Sequence, residues 1–346
     1  IEVTFRDQYI SRGDMWRFKL ALEGTCVYVG KNISYAGLLR AQVKKILVNG
    51  RKVACGYITN STKTIFRSES SKFFIFIQMS REMWDFDEDG ELFYEKALTG
   101  FFPTLFQKWT ESNTNHVVSI ILFSRIFYNH IDDVPENDNA ILYDSNNRPY
   151  KDFYRVVIDF ETRTDWSSML TILKREFVQF QKDILQRSEN GSMILSGNNS
   201  PACEGNVLEA INLALNPFDK HYMDRNILRT GLSIVVVTPG TGIFEVDKKL
   251  LRLTTQRMID NGISLDLVCL SRPPLYLVPL MQYYSKELSK KIHKNESFEK
   301  PGESSEKKID VWDPLYFDDP NNDNPEHIFY AIPYWIDCSF WNNNQD

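Results

Sequence analysis

The stretch Lys72-Phe-Phe-Ile-Phe-Ile-Gln-Met-Ser80 decides how this chain is read. It is an apolar run of strand length that closes on a polar bend at Ser80-Arg81-Glu82. A strand apolar on both faces suits the middle of a sheet covered on two sides. In such sheets function gathers beyond the carboxyl ends of the strands, so the residues that follow Gln78 are where chemistry is sought.

Downstream, strand and helix patterns alternate. Leu98, Phe101, Phe102, Leu105 and Trp109 fall at helical spacing, with Pro103 after Gly100 predicting a kink. Residues 116–123 and 153–160 read as strands, with an acidic, Asn- and Pro-rich loop excursion over 129–150 between them. Trp166, Met169, Leu170, Leu173, Phe177 and Phe180 predict a helix over 165–187, and 188–205 reads as the loop after it. Asn206 and Glu209 stand at capping-box spacing before the next helix, which Pro217 stops. Residues 232–238 and 263–270 are strands flanking a helix that ends at Asn261-Gly262.

Upstream, the pattern is β-rich after a short helix at 14–22. Asn49-Gly50 between two apolar runs is the strongest hairpin signal in the chain, and 62–66 supplies another strand. Residues 285–325 are rich in Lys, Glu, Ser and Asn, whereas 329–341 recovers aromatics. The expected organisation is a β-rich portion over 1–70, an α/β domain over 71–284, a flexible insertion over 285–328, and a C-terminal segment, 329–346, docking on the core. The architecture is α/β, a doubly wound, mostly parallel sheet.

The composition excludes several function classes. The 346 residues are 42% hydrophobic with net charge −6 and both signs interspersed, which suits neither a nucleic-acid surface nor a polybasic membrane patch. Five scattered cysteines, never in C-x-x-C spacing, read as reduced cytosolic thiols. No apolar run reaches membrane-spanning length. Ile1 in place of an initiator methionine suggests a piece of a longer polypeptide.

Chemical motifs are mostly broken. Asp85-Phe-Asp-Glu-Asp-Gly90 opens like a calcium loop, but Lys96 stands where a bidentate Glu must close it. The glycines of 24–31 and of Thr238-Pro-Gly-Thr-Gly242 lack the spacings that cradle phosphate, and the histidines do not cluster. Arg81 and Arg125 follow strands as an arginine finger would, though surface ion pairs explain them better. The βα order resembles a von Willebrand A domain, whose metal site uses D-x-S-x-S after the first strand and an Asp in a later turn. Here Gln78-Met-Ser80 and Thr238-Pro239-Gly240 keep Ser80 but replace both acids by an amide and a proline.

A closer resemblance rests on Arg12-Gly-Asp-Met-Trp-Arg-Phe18, Phe76-Ile-Gln-Met-Ser80, Glu82-Met-Trp-Asp-Phe86, Gly205-Asn-x-Leu-Glu-Ala-Ile-Asn212, Phe218-Asp-Lys-His-Tyr222, Val237-Thr-Pro-Gly-x-Gly-x-Phe-Glu-Val-Asp247 and Gln256-Arg-Met-Ile-Asp-Asn-Gly-Ile263. These blocks are similar to the N-terminal region of the Iml family of vacuolar membrane-associated proteins, the DEP-domain-containing subunit of the SEACIT/GATOR complex. The resemblance implies a non-catalytic scaffold in a GTPase-activating complex that negatively regulates target-of-rapamycin signalling, and hence autophagy, in response to amino acids. It further implies a nitrogen-permease-regulator-like partner subunit that carries the arginine finger, and Rag/Gtr GTPases met through the assembled complex. The implied location is cytoplasmic, peripheral at the vacuolar or lysosomal membrane. No cofactor, metal, nucleic acid or catalytic residue is expected. Trp84, Phe86, Phe244 and Glu245, at or just after strand ends, are the candidate partner contacts. The alternative is a metal-dependent von Willebrand A-type ligand-binding module that recruits Ser80, Glu82 and the acids at 85–89.

Overall fold

The apolar run folds as the strand Ser71–Gln78 in an eight-stranded sheet. In the computed structural model the described residues are 1–5, 10, 12–37, 39–68, 70–112, 114–128, 140–144, 146–189, 192–195, 197–216, 231–240, 243–272, 280–286, 315–316 and 326–341. Ser71–Gln78 pairs in parallel with Val117–Phe127 on one side and Gly231–Thr238 on the other. Leu265–Cys269 and then Ile336–Phe340 extend the parallel set to one edge. Pro149–Thr162 lies antiparallel on Val117–Phe127, with Leu142–Tyr143 beyond it.

The period of two in a strand explains the two cores. Ile75 and Ile77 face a layer with Phe102, Phe106, Trp109, Leu173 and Phe177, contributed by the helices Phe102–Glu111 and Ser168–Leu185. Phe74 and Phe76 face the opposite layer, with Leu208, Ile211, Leu251 and Met258 from Val207–Leu215 and Lys248–Asn261. The Asp247 carboxylate caps that last helix by accepting from Leu250 N–H at 2.8 Å. Gly262, at φ +61°, ends it in the left-handed conformation.

The N-terminal portion has its own core. Leu39–Val48 turns through Asn49 and Gly50, both at positive φ as a type I′ turn demands, into Arg51–Val53. Glu2–Phe5 lies between Leu39–Val48 and Ile65–Ser68. The helix Arg12–Leu22 presses Phe18 edge-on against Phe5 at 5.6 Å.

Several expectations change in the structure. The helical run through Pro103 is irregular: Lys96–Phe101 forms a wide π-type turn that leads into Phe102–Glu111, with Pro103 as its second residue. The excursion read over 129–150 contains the Leu142–Tyr143 strand, and the loop read over 188–205 holds the hairpin Gln186–Glu189/Ser192–Leu195. The C-terminal segment does more than dock. Glu326–Ala331 pairs with Met281–Lys286, and Ile336–Phe340 becomes the sheet's outermost parallel strand. Pro217, Phe218-Asp-Lys-His-Tyr222 and most of 285–328 lie outside the described residues.

His116 is buried at the entry to Val117–Phe127, its ring edge-on to Phe73 at 4.8 Å, and its Nδ1 accepts from Ser71 N–H. Burial lowers its pKa from 6.5 to about 4, so folding favours the neutral ring. The unfolded chain takes up a proton first as pH falls, and stability should drop by roughly 3 kcal/mol between pH 7 and pH 4. Urea unfolding across that range should lose this part of its slope in His116→Phe.

Candidate functional site

Beyond the carboxyl ends of the parallel strands, three loops meet at Ala202. The Gln78 side chain, 1% exposed, donates from Nε2 to the Ala202 carbonyl at 2.9 Å and accepts at Oε1 from the Thr238 hydroxyl at 2.6 Å. Thr238 Oγ1 in turn accepts from Gly240 N–H at 3.0 Å. Both Glu82 carboxylate oxygens accept from Ala202 N–H, at 2.9 and 3.1 Å. Packing here is so close that a Cβ on Gly205 would stand 2.3 Å from Gln78 Nε2, and one on Gly240 would stand 2.7 Å from the Ala202 Cβ. Both glycines are required by that approach.

This is where a von Willebrand A domain would hold a divalent cation, and the donor set does not fit one. Hard cations take oxygen ligands with carboxylate charge. The Gln78 amide oxygen is engaged by Thr238 and the Glu82 carboxylate by Ala202, leaving Ser80 Oγ as a buried oxygen without a partner. Among the described residues no three His, Cys, Asp or Glu side chains converge as a metal site.

The acidic loop at 85–90 supplies its own cation. Lys96 Nζ lies 2.9 Å from Asp87 Oδ2, with the two side chains only 2% and 6% exposed. Asp87 Oδ1 accepts from the N–H groups of Asp89 and Glu91, both at 2.9 Å. Burial pushes the Asp87 carboxyl up, but the Lys96 ammonium and these N–H donors outweigh it and hold the pKa below 3.8. Arg272, after the Leu265–Cys269 strand, holds the loop from outside through Asp89 at 2.6 Å and Glu88 at 3.3 Å.

Arg125 is also consumed internally. Its guanidinium bonds Asp152 through two nitrogens at 2.7 and 2.9 Å and Glu209 at 3.0 Å, and stacks 4.2 Å from the Tyr150 ring centre. Glu209 therefore does not complete a capping box, and Asn206 makes no side-chain cap. Arg148 repeats the arrangement one step out, over Phe127 and bonded to Asp144 and Glu204.

The candidate contact residues divide. Phe86 is 69% exposed on the rim of this surface. Trp84 is half-buried with its ring 4.9 Å from Tyr94 and its indole N–H unpartnered. Phe244 is a correction: its ring is 4% exposed and belongs to the core beneath Val207–Leu215. Glu245 is exposed, its carboxyl pushed up by partial burial and by Glu204. The charges of Glu82, Glu204 and Glu245 all bear on the Cys203 thiol, so the Ala202–Glu204 turn lies between the two candidate groups. Sequence reasoning passed over Ala202, whose role is carried by its backbone; the glycines at 205 and 240 were the available signal.

A twisted, mostly parallel sheet with helices on both faces and a site at the strand ends defines a von Willebrand A-like domain, attached to a small β-rich module. Residues 70–283 match the family described as the vWA-like domain of vacuolar membrane-associated protein Iml1, and residues 1–68 match the IML1 small domain. The chain belongs to the Iml1 family. A DEP domain-containing protein of Dictyostelium discoideum is 51% identical over 283 residues, covering 82% of this chain and 12% of that protein. GATOR complex protein Iml1 of Drosophila melanogaster is 42% identical over 350 residues, 100% of this chain and 20% of that protein. Vacuolar membrane-associated protein iml1 of Schizosaccharomyces pombe is 41% identical over 314 residues, covering 84% and 21%. The chain thus spans between 12% and 21% of the length of these relatives.

Lys96→Met leaves the Asp87 carboxylate buried and unpaired and should cost about 3–5 kcal/mol in denaturant unfolding. Adding Asp87→Asn should restore more than half, because the amide oxygen still accepts from Asp89 and Glu91. As the Asp87 pKa is depressed, the pair's contribution is complete above pH 3.8 and is lost below it, so the gap between wild type and Lys96→Met should close in acid.

Proposed function

We propose that this region is a non-catalytic binding platform of a GTPase-activating complex, holding a nitrogen-permease-regulator-like subunit so that an arginine carried by that subunit reaches a Rag/Gtr GTPase. In this reading the complex restrains target-of-rapamycin signalling when amino acids are scarce. The observation that carries it is the closed network of Gln78, Ala202 and Thr238: the place where a metal-dependent relative would seize a ligand is spanned by neutral hydrogen bonds, and what remains is a rigid surface with Phe86 on its rim. Rigid strand ends suit the task, since a platform transmits geometry only as well as its own loops are held. The names GATOR complex protein and vacuolar membrane-associated protein borne by the relatives support complex membership and a peripheral place at the vacuolar or lysosomal membrane. Among the described residues no helix is long and apolar enough to cross a membrane.

An exposed aromatic of this kind, closed over by a partner, is worth about 2–4 kcal/mol at an interface. Co-purification of this chain with the partner subunit should fall at least tenfold in Phe86→Ala and fall further with Glu245→Lys. Undiminished recovery of both would place the contact elsewhere. The metal-dependent alternative draws on an orphaned oxygen at the end of the first parallel strand, Ser80 Oγ. Calorimetry with magnesium, manganese and calcium should give no saturable heat, and a signal abolished by Ser80→Ala would establish that alternative instead.

A further inference from the structure

On the far side of the sheet from Gln78, a cavity of about 310 Å³ opens between the helix Phe102–Glu111 and the outermost strand Ile336–Phe340. Its floor is the sheet itself, with Ile75, Val235 and Asp266 in one register row across adjacent strands and Val268 with Ser339 in the next. Phe101, Leu105 and Trp109 wall one side, and Phe340 and Trp341 the other. Trp341 stands edge-on to Phe101 at 5.7 Å.

Two features set this cavity apart from a packing gap. Asp266 lies directly opposite Asp337 on the neighbouring parallel strand, a like-charge pair that destabilises a sheet unless something compensates it. The Asp266 carboxylate accepts from Ser233 Oγ at 3.2 Å, and no described Lys or Arg pairs with either acid. Burial and the Asp337 charge push the Asp266 carboxyl up, as expected where a cation is missing. The second feature is the Trp341 indole N–H, which is buried and has no acceptor. Buried donors are almost always satisfied, so this one marks a place where an acceptor belongs.

We infer that this cavity binds an organic cation: an ammonium or guanidinium group on an apolar stem, its charge set against Asp266, its stem among the rings of Phe101, Trp109, Phe340 and Trp341, and an acceptor oxygen meeting Trp341 Nε1. The volume lies at the small end of ligand-sized pockets, enough for a short stem. Aromatic walls add cation–π attraction to the carboxylate charge, and an acid on the floor rejects anions. The same chemistry is offered by a free amine and by a lysine or arginine side chain of a polypeptide.

The test follows the Trp341 indole resonance by 1H–15N correlation, assigned with Trp341→Phe. n-Hexylamine should shift that resonance saturably and bind at least tenfold tighter than hexan-1-ol, while hexanoate should not bind. Asp266→Asn keeps the bond to Ser233 and should weaken the amine at least tenfold without weakening the alcohol. Val268→Phe should fill the cavity and abolish both. N-acetyl-lysine N-methylamide, which adds backbone carbonyls, separates the sources: tighter binding than hexylamine assigns a polypeptide side chain, weaker binding assigns a free amine. Equal binding of amine and alcohol, or an Asp266→Asn variant with unchanged amine affinity, would overturn the inference.

Discussion

An amide can give and take hydrogen bonds in the same plane, and the strand-end surface of this domain is built on that property of Gln78. Its Nε2 faces the Ala202 carbonyl and its Oε1 faces the Thr238 hydroxyl, so one side chain joins the loops after three different segments of chain. A carboxylate in that position would set two acceptors, its own oxygen and the Ala202 carbonyl, against each other. It would then need a cation to separate them. With the amide the contact closes without one, and the loops approach until only glycine fits at 205 and 240.

Charge is handled within the chain at three places near this face. Lys96 satisfies Asp87 from within, Arg125 is shared among Asp152, Glu209 and Tyr150, and Arg148 is fixed by Asp144 and Glu204. Each cation has its partners inside the same chain. These side chains are held by the bonds that neutralise them, whereas the exposed Arg81 side chain has no ion pair among the described residues. In the platform we propose, such a surface recognises by shape and by what its rim exposes, and stiffness at Ala202 and exposure at Phe86 serve that one proposed role.

How much of this was legible in the sequence depended on whether a signal was local. Asn49-Gly50 specifies its turn and Gly262 its stop, because backbone conformation at those positions is set by the residues themselves, whereas the Asp247 cap emerged only in the structure. The apolar runs at 72–80 and 232–238 announce buried strands for the same reason. The capping box at Asn206 and Glu209 misled because Arg125, distant in sequence, competes for the carboxylate with two-sided geometry and charge. Phe244 looked like a rim aromatic because it follows a glycine-rich turn, yet pairing of Phe244–Glu245 with Met281–Gln282 turns its ring inward. The strand Ile336–Phe340 was the hardest to foresee. Asp337, Cys338 and Ser339 carry no apolar alternation, and its place is fixed by the neighbouring strand and by Trp335, whose indole N–H reaches Thr255 Oγ1 at 3.2 Å.

That outermost strand also shows how the sheet ends. Trp335 O accepts from Leu265 N–H and Trp341 N–H donates to Cys269 O, so aromatic residues bracket the pairing at both ends. An open edge in a parallel sheet invites further pairing, and an acid there discourages it. Asp337 serves that purpose on the solvent side of the strand, but it does so opposite Asp266, one strand further in. The repulsion is tolerable because the row is paid for by Leu265, Leu267 and Cys269, which bury the other face of the same strand against the core. The sheet therefore ends in a place where apolar packing on one face holds unbalanced charge on the other, which is the physical condition for a site that attracts a cation it does not itself contain.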